Sequence, residues 1–266
     1  MTRPKQQPAA LTIAGSDSGG GAGVPADLKT FAALGVHGTG AITCLTAQNP
    51  RRVLAFQAAR PEIVRQQIEA VFEEFQPRAV KTGMLFSAEI IRVAAGFFRN
   101  GKRAPLIVDP VGVATSGARL LKPSAVKILK DQLLPCAALV TPNLDEVELL
   151  LGWRADTEEK MRRAAREFHE RWGCAALIKG GHLPRVKTAP DIFYDGRTEL
   201  LLTAPFARGL STHGTGCTYS AAITGFLALD YDLPHAVQQA KEYITQAIHQ
   251  SRAVGRHTVL NHFWRK

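Results

Sequence analysis

Residues 10–35 read ALTIAGSDSGGGAGVPADLKTFAALG. The apolar run 10–14 reads as a strand. It breaks at GSDSGGGAG (15–23), nine residues that hold five glycines. PADLKTFAALG (25–35) then reads as a helix, with proline tolerable in its first turn and a glycine at its end. Strand, glycine turn and helix make the opening unit of an α/β fold, and such folds hold ligands outside the carboxyl ends of their strands. The turn lacks the Gly-Lys-Ser/Thr ending of a nucleotide P-loop. A dinucleotide fingerprint would want an acid at the end of the next strand, where this chain has Ala47-Gln48-Asn49. A turn serving only the fold and a loop lining a ligand remain. The ligand reading is preferred, because glycines at this density allow close backbone approach.

The alternation continues outward. Strands are expected at 41–48, 53–59, 78–83, 105–110, 137–143 and 174–181, with helices at 61–75, 87–101 (stopped by Gly101), 123–134, 156–173 and 234–255. A hairpin is expected at 191–206, turning at Asp195-Gly196. The last residues read as an irregular packed tail. No composition break or linker divides the chain, so residues 1–266 are expected to form one α/β domain with a mainly parallel sheet.

Polar and glycine-rich motifs collect where these strands end: TAQN (46–49), KTGM (81–84), DP (109–110), TPNLDE (141–146) and KGGH (179–182). Asn143 and Glu146 stand three apart at a helix start, a placement that suits hydrated Mg²⁺ and equally suits helix capping. Asp109 ends an apolar strand, where a carboxylate needs a partner. Lys179 reads as a phosphate contact or as a solvated strand end. STHGTGCTYSAA (211–222) sets Cys217 at the mouth of a helix, where N–H groups favour an anion and a thiol's pKa is expected to fall. His213 beside it raises a thiol–imidazole hydrolase pair as a lesser reading. Cys44, inside a strand, reads as core.

The bulk composition narrows the classes. Lys and Arg outnumber Asp and Glu by 33 to 23, a formal charge of +10 that suits nucleic acid or an acidic small substrate such as a nucleotide. Without interleaved aromatics or a run of five like charges, a solvated basic face is preferred and no nucleic-acid partner is expected. The four cysteines form no C-x-x-C pair, so reduced thiols in a cytoplasmic setting fit better than a zinc site or a disulfide framework. The apolar stretch at the start is too short for a signal peptide, and no segment approaches the ~20 apolar residues of a membrane span.

Taken in order, AGSDSGGGAG with ADLKTF, LTAQN, KTGML, VDPV, ATSG, TPNLDE, KGGH and HGTGCTYSAA resemble the ribokinase-like superfamily. More closely they resemble the hydroxymethylpyrimidine/phosphomethylpyrimidine kinases of thiamin biosynthesis, over most of the chain. The resemblance implies helices on both faces of the sheet, a small β-hairpin, and transfer of the ATP γ-phosphoryl group to a pyrimidine hydroxymethyl group and then to the monophosphate. It implies pyrimidine contacts at Gly15, Asp27, Gln48, Met84, Val111 and Cys217. It implies Mg-ATP near Asn143, Glu146 and Lys179, with Asp109 reaching the metal through water. Gly214, Thr215, Gly216 and Cys217 become the anion hole, with Cys217 where most of the superfamily has an aspartate base. A homodimer is implied as the common assembly. The chain departs from the pattern at Val24-Pro25, where Ile-Gln is usual, and at Gly112, where methionine is common; both are expected near the pocket. A pyridoxal/pyridoxine kinase of the same superfamily and a non-catalytic pyrimidine-binding regulator are the alternatives, and retention of Asn143, Glu146, Lys179 and Cys217 together argues against the regulator.

Overall fold

The structure, a computed structural model, describes residues 6–99, 104–112, 121–181, 183, 188–206 and 213–265. The ATSG stretch (114–117), His182 and the expected helix stop at Gly101 lie outside these residues. Among the described residues the sheet has nine strands, in the order β3-β2-β1-β4-β5-β6-β7-β8-β9. Six of them run parallel: β1 (Ala9–Asp17), β2 (His37–Asn49), β4 (Ala79–Thr82), β5 (Leu106–Val108), β6 (Leu139–Val140) and β7 (Ala175–Lys179). Both flanks turn antiparallel, β3 (Arg52–Ala58) on one side and the hairpin β8 (Thr188–Tyr194) and β9 (Glu199–Pro205) on the other. The expected hairpin is thus an extension of the main sheet. Gly196 has φ +94° in its turn, a conformation open to glycine at little cost.

Successive residues of the central strands point to opposite faces, and both faces are covered. Leu106 and Val108 pack with Val80, Val140 and Ile178 against α2 (Pro61–Glu74), α3 (Ala88–Arg99), α5 (Leu144–Leu151) and α6 (Glu158–Trp172). Ile107 points the other way, with Leu139 and Leu177, into α7 (Thr215–Ala228) and α8 (Leu233–His249). α1 (Gly23–Ala33) shares that second face, where Phe31 meets Ala221 of α7. Between β5 and β6 the chain forms α4 (Pro123–Ile128), which runs on through a wide π turn to Leu133.

Several boundaries differ from the sequence reading; β2, for one, begins at His37 rather than 41. β1 does not stop at Ala14; it passes through Gly15 to Asp17, with a register shift between Ala14 and Ser16 that makes Gly15 a bulge. α8 ends at His249 rather than 255. The tail then forms a two-stranded ribbon, β10 (Arg252–Val254) and β11 (His257–Val259), before Leu260, Asn261 and His262 become buried.

Candidate functional site

The carboxyl ends of the parallel strands open on a cavity of about 1190 Å³, larger than the roughly 300–1,000 Å³ of a typical single-ligand site. One wall is the start of α7. Gly214 takes φ +82° as its N-cap, and Gly214, Thr215, Gly216 and Cys217 all line the cavity. The glycines have a steric cause. A Cβ on Gly214 would fall 1.7 Å from the Gly21 carbonyl oxygen, and one on Gly216 would fall 3.3 Å from Lys179 Nζ. The Thr215 hydroxyl is buried without a partner among the described residues. An unmet buried donor costs about 1–3 kcal/mol, which an anion seated on this turn would relieve.

Facing the turn is a charged cluster. Lys179 is not a solvated strand end: its Nζ donates to Asp109 Oδ1 (3.2 Å) and its side chain is 13% exposed. Burial would lower the ammonium's pKa, but the charges of Asp109 and Glu146 outweigh it and hold the value up. Asp109 is 3% exposed, and Ser220 of α7 donates to its Oδ2 (3.1 Å). Asn143 and Glu146 form a full capping box at α5: Asn143 Oδ1 accepts the Glu146 N–H (2.9 Å) and Glu146 Oε2 accepts the Asn143 N–H (2.9 Å). Glu146 Oε1 also accepts the Gly112 N–H (3.2 Å). Burial pushes the Glu146 carboxyl up to about 7, against the pull of Lys179. The capping alternative is therefore realised, and the pair still lines the cavity.

Gly15, Gln48, Met84 and Val111 also line the cavity. A Cβ on Gly15 would meet Met84 Cε at 2.5 Å, so the bulge makes room for the methionine. Cys44 is buried, as expected of core, and its Sγ lies against Gly15. Val111 has φ +41° and Phe86, also at the cavity, φ +68°. A β-branched residue in that region is strained by about 1–3 kcal/mol, and such strain collects at functional sites.

Several expectations need correction. Asp27 does not line the cavity. It is fully buried, its two oxygens 2.8 Å from Lys81 Nζ, with Thr12 donating to Oδ2 (2.6 Å). Lys81, passed over in the sequence as part of the KTG motif, is itself fully buried; burial would depress it, but Asp27 and the neighbouring Cys217 and Asp109 hold it charged. Cys217 has no lowered pKa. Burial pushes the thiol up to about 11, against the pull of Lys81. The helix mouth is outweighed by desolvation, and the hydrolase pair loses its thiolate. His213 instead turns Nε2 to Asp17 (3.1 Å). Gly112 and Pro25 do lie near the cavity, as expected, beside its lining residues Val111 and Gly23 but not on the wall themselves; a Cβ on Gly112 would fall 2.5 Å from Leu149 Cδ2. Asp17, Lys81 and Ser220 were missed because their partners come from distant parts of the chain and leave no local pattern.

The arrangement offers N–H donors and an unmet hydroxyl for an anion, one lysine, and two carboxylates with an amide beside them. Among the described residues no three His, Cys, Asp or Glu converge as a closed metal site. Asp109, Asn143 and Glu146 therefore fit Mg²⁺ only in its usual form, keeping most of its water and sharing its charge with phosphates.

A family model described as phosphomethylpyrimidine kinase matches residues 17–261. A Streptomyces coelicolor relative named hydroxymethylpyrimidine/phosphomethylpyrimidine kinase is 48% identical over 250 residues, covering 93% of this chain and 91% of that protein. A thiamine biosynthesis bifunctional protein of Geobacter sulfurreducens is 46% identical over 95% of this chain, which spans 51% of that protein's length. The solved pyridoxal kinase of Staphylococcus aureus, in complex with AMP-PCP and pyridoxal, superposes with a TM-score of 0.88 at 31% identity, covering 98% of this chain and 95% of that one. No helix among the described residues is long and apolar enough to cross a membrane.

Proposed function

Because the chain belongs to the phosphomethylpyrimidine kinase family, we propose that its cavity transfers the γ-phosphoryl group of ATP to 4-amino-5-hydroxymethyl-2-methylpyrimidine, and then to the monophosphate, in thiamin biosynthesis. The observation that carries this reading is the meeting of three parts in one cavity: the Gly214–Cys217 turn, the Asp109–Lys179 pair and the wall bearing Gln48. Phosphoryl transfer asks a protein mainly to align groups and neutralise charge. The N–H groups of 214–217 and the Thr215 hydroxyl hold the transferring phosphoryl group. Lys179 balances charge on the phosphates. Asp109, Asn143 and Glu146 would hold Mg²⁺, and Ser220 and Lys179 fix the Asp109 carboxylate by hydrogen bonds. When bound, the cation neutralises phosphate charge. Gly15, Met84 and Val111 enclose the pyrimidine, and Gln48 reads its amino–ring-nitrogen edge. Asp27 acts from beneath, by holding Lys81. The acceptor hydroxymethyl oxygen bonds to the γ-phosphorus as the bond to the ADP oxygen breaks. Cys217, at the end of this turn, takes the hydroxyl proton through its minor thiolate fraction, which burial keeps small and the charge of Lys81 partly restores.

The pyridoxal-kinase reading is kept as the second, on the strength of the Staphylococcus aureus superposition. One coupled assay separates them: ATP with hydroxymethylpyrimidine, pyridoxal and pyridoxine in parallel. Hydroxymethylpyrimidine is expected to give the highest kcat/KM, and a preference for pyridoxal overturns the substrate assignment. A cytoplasmic location and a homodimer complete the proposal; exposed apolar residues of β2 and β3 support the latter.

A further inference from the structure

Asp17 and His213 stand 196 residues apart in the chain and meet between the two glycine turns of the site. Asp17 ends β1 and is 4% exposed. Its Oδ1 accepts the Gly19 N–H (2.7 Å), and its Oδ2 accepts those of Gly21 (3.1 Å) and Ala22 (2.9 Å). The carboxylate thus shapes its own glycine turn. One further donor comes from the other turn: His213 Nε2, 3.1 Å from Oδ2. A carboxylate only accepts, so that nitrogen carries the proton. Burial alone would raise the Asp17 carboxyl, but the His213 bond, then the Gly19 N–H and the Gln48 amide, hold it below its ordinary value. The backbones touch beside this bond. A Cβ on Gly21 would fall 2.9 Å from His213 Cδ2, and the Gly21 carbonyl occupies the space of a Gly214 side chain.

We infer that Asp17 and His213 form a clasp that sets the acceptor turn against the phosphoryl turn, a positioning pair for transfer. The inference rests on the site reading above. His213 immediately precedes the turn whose N–H groups face the anion, while Asp17 closes the loop between Gly15 and α1 and leans on Gln48. Both residues line the cavity and act through the turns they hold. Release at His213 leaves the Asp17 bonds to its own turn in place and loosens the separation of the two turns. A misplacement of about 1 Å at a reacting centre can cost ~10²-fold in rate. It also lets water compete with the acceptor hydroxyl for the γ-phosphoryl group, giving ADP and free phosphate in place of ADP and the phosphorylated acceptor.

The test uses the full chain with His213→Ala, His213→Gln, Asp17→Asn and the Asp17→Asn/His213→Ala double variant. The readouts are kcat, KM for ATP, ADP formed per phosphorylated acceptor, and thermal unfolding. A clasp predicts a fall in kcat of ~10²-fold for His213→Ala with KM for ATP within about threefold. It predicts an ADP-to-product ratio above one, recovery of at least about tenfold by glutamine, which keeps an N–H donor, and a double variant no worse than the poorer single. Full activity in His213→Ala, or losses that multiply in the double variant, overturns the clasp. So does a loss that merely follows the unfolded fraction at the assay temperature. A wild type that phosphorylates none of the three acceptors overturns the site reading, and the clasp with it.

Discussion

At Cys217 two effects compete, and the wrong one is visible in the sequence. Its place after Gly-Thr-Gly at a helix mouth argues for an acidic thiol, yet the residues that bury it are scattered over the chain, and burial pushes it up to about 11. If the thiolate takes the acceptor proton, kcat/KM should rise with pH between 6 and 9. Cys217→Ala should lose ~10²–10⁴ in kcat with ATP binding kept. Cys217→Asp should regain activity and flatten the pH profile; near-normal turnover in the alanine variant removes the thiol from the chemistry. Gln48 offers a sharper discrimination. A glutamine amide supplies a paired donor and acceptor, as it does when reading adenine. A site built for such an edge penalises a ligand without it, since its own polar groups are left unmet. Gln48→Met should cost about 1–3 kcal/mol in transition-state binding of hydroxymethylpyrimidine and much less for pyridoxal. Equal losses of kcat/KM for both acceptors remove Gln48 as the reader. The motif residues at strand ends were legible because α/β topology gathers them. Asp27 was not: nothing in ADLKTF says that its carboxylate turns inward to a lysine 54 residues on.

Among the elements, strands and helices were legible wherever one pattern dominated, and blurred where a turn was shared. β1 overran its expected end because a bulge at Gly15 keeps the backbone paired with β2 while the side chains change sense. The expected 234–255 helix lost its end to the ribbon, whose strands pair with each other and, among the described residues, with no other strand. β4 hides the least local feature, a lysine in a strand with no exposed residue. Removing one partner of a buried ion pair leaves the other uncompensated, so Lys81→Met should destabilise the protein by about 3–5 kcal/mol. The double change Lys81→Met/Asp27→Leu should recover most of that loss. Denaturant unfolding of the three variants measures it, and an unchanged midpoint in the single variant refutes the pairing. At α5 the native Glu146 keeps its proton to about pH 7, whereas an unfolded glutamate loses it near 4.5. The native state therefore binds more protons between those values, and this site's contribution falls as pH rises through them, by up to about 3 kcal/mol. Glutamine can still complete the capping box. Glu146→Gln should flatten the pH dependence of ligand-free unfolding from 5 to 8, and an unaltered slope assigns the titration elsewhere.

For the whole molecule, the single α/β unit with its site along the strand ends was the most legible feature, since alternation over the full length leaves few other topologies. The outer edge was less so. β3 is exposed at every residue, with Val53, Leu54 and Phe56 57–63% exposed and Leu45 of β2 at 53%. Edge strands of this kind invite pairing. A homodimer through this edge should sediment as a dimer at micromolar concentration and as a monomer in Leu54→Glu; a wild type that is monomeric throughout refutes it. The position of α7 has a further consequence, for synthesis. The helix packs on β1, β4 and β5 and against α1, so the sheet made from the first two-thirds of the chain leaves the ribosome with Ile107, Leu139 and Leu177 bare on one side. At about 5–20 residues per second, residue 217 follows the glycine turn of β1 by roughly 10–40 s. Through that interval the nascent chain has neither the cover for this apolar face nor the turn that would seat a phosphate. A ligand at that turn can steady the chain only once residue 217 has emerged, after all six parallel strands have been made.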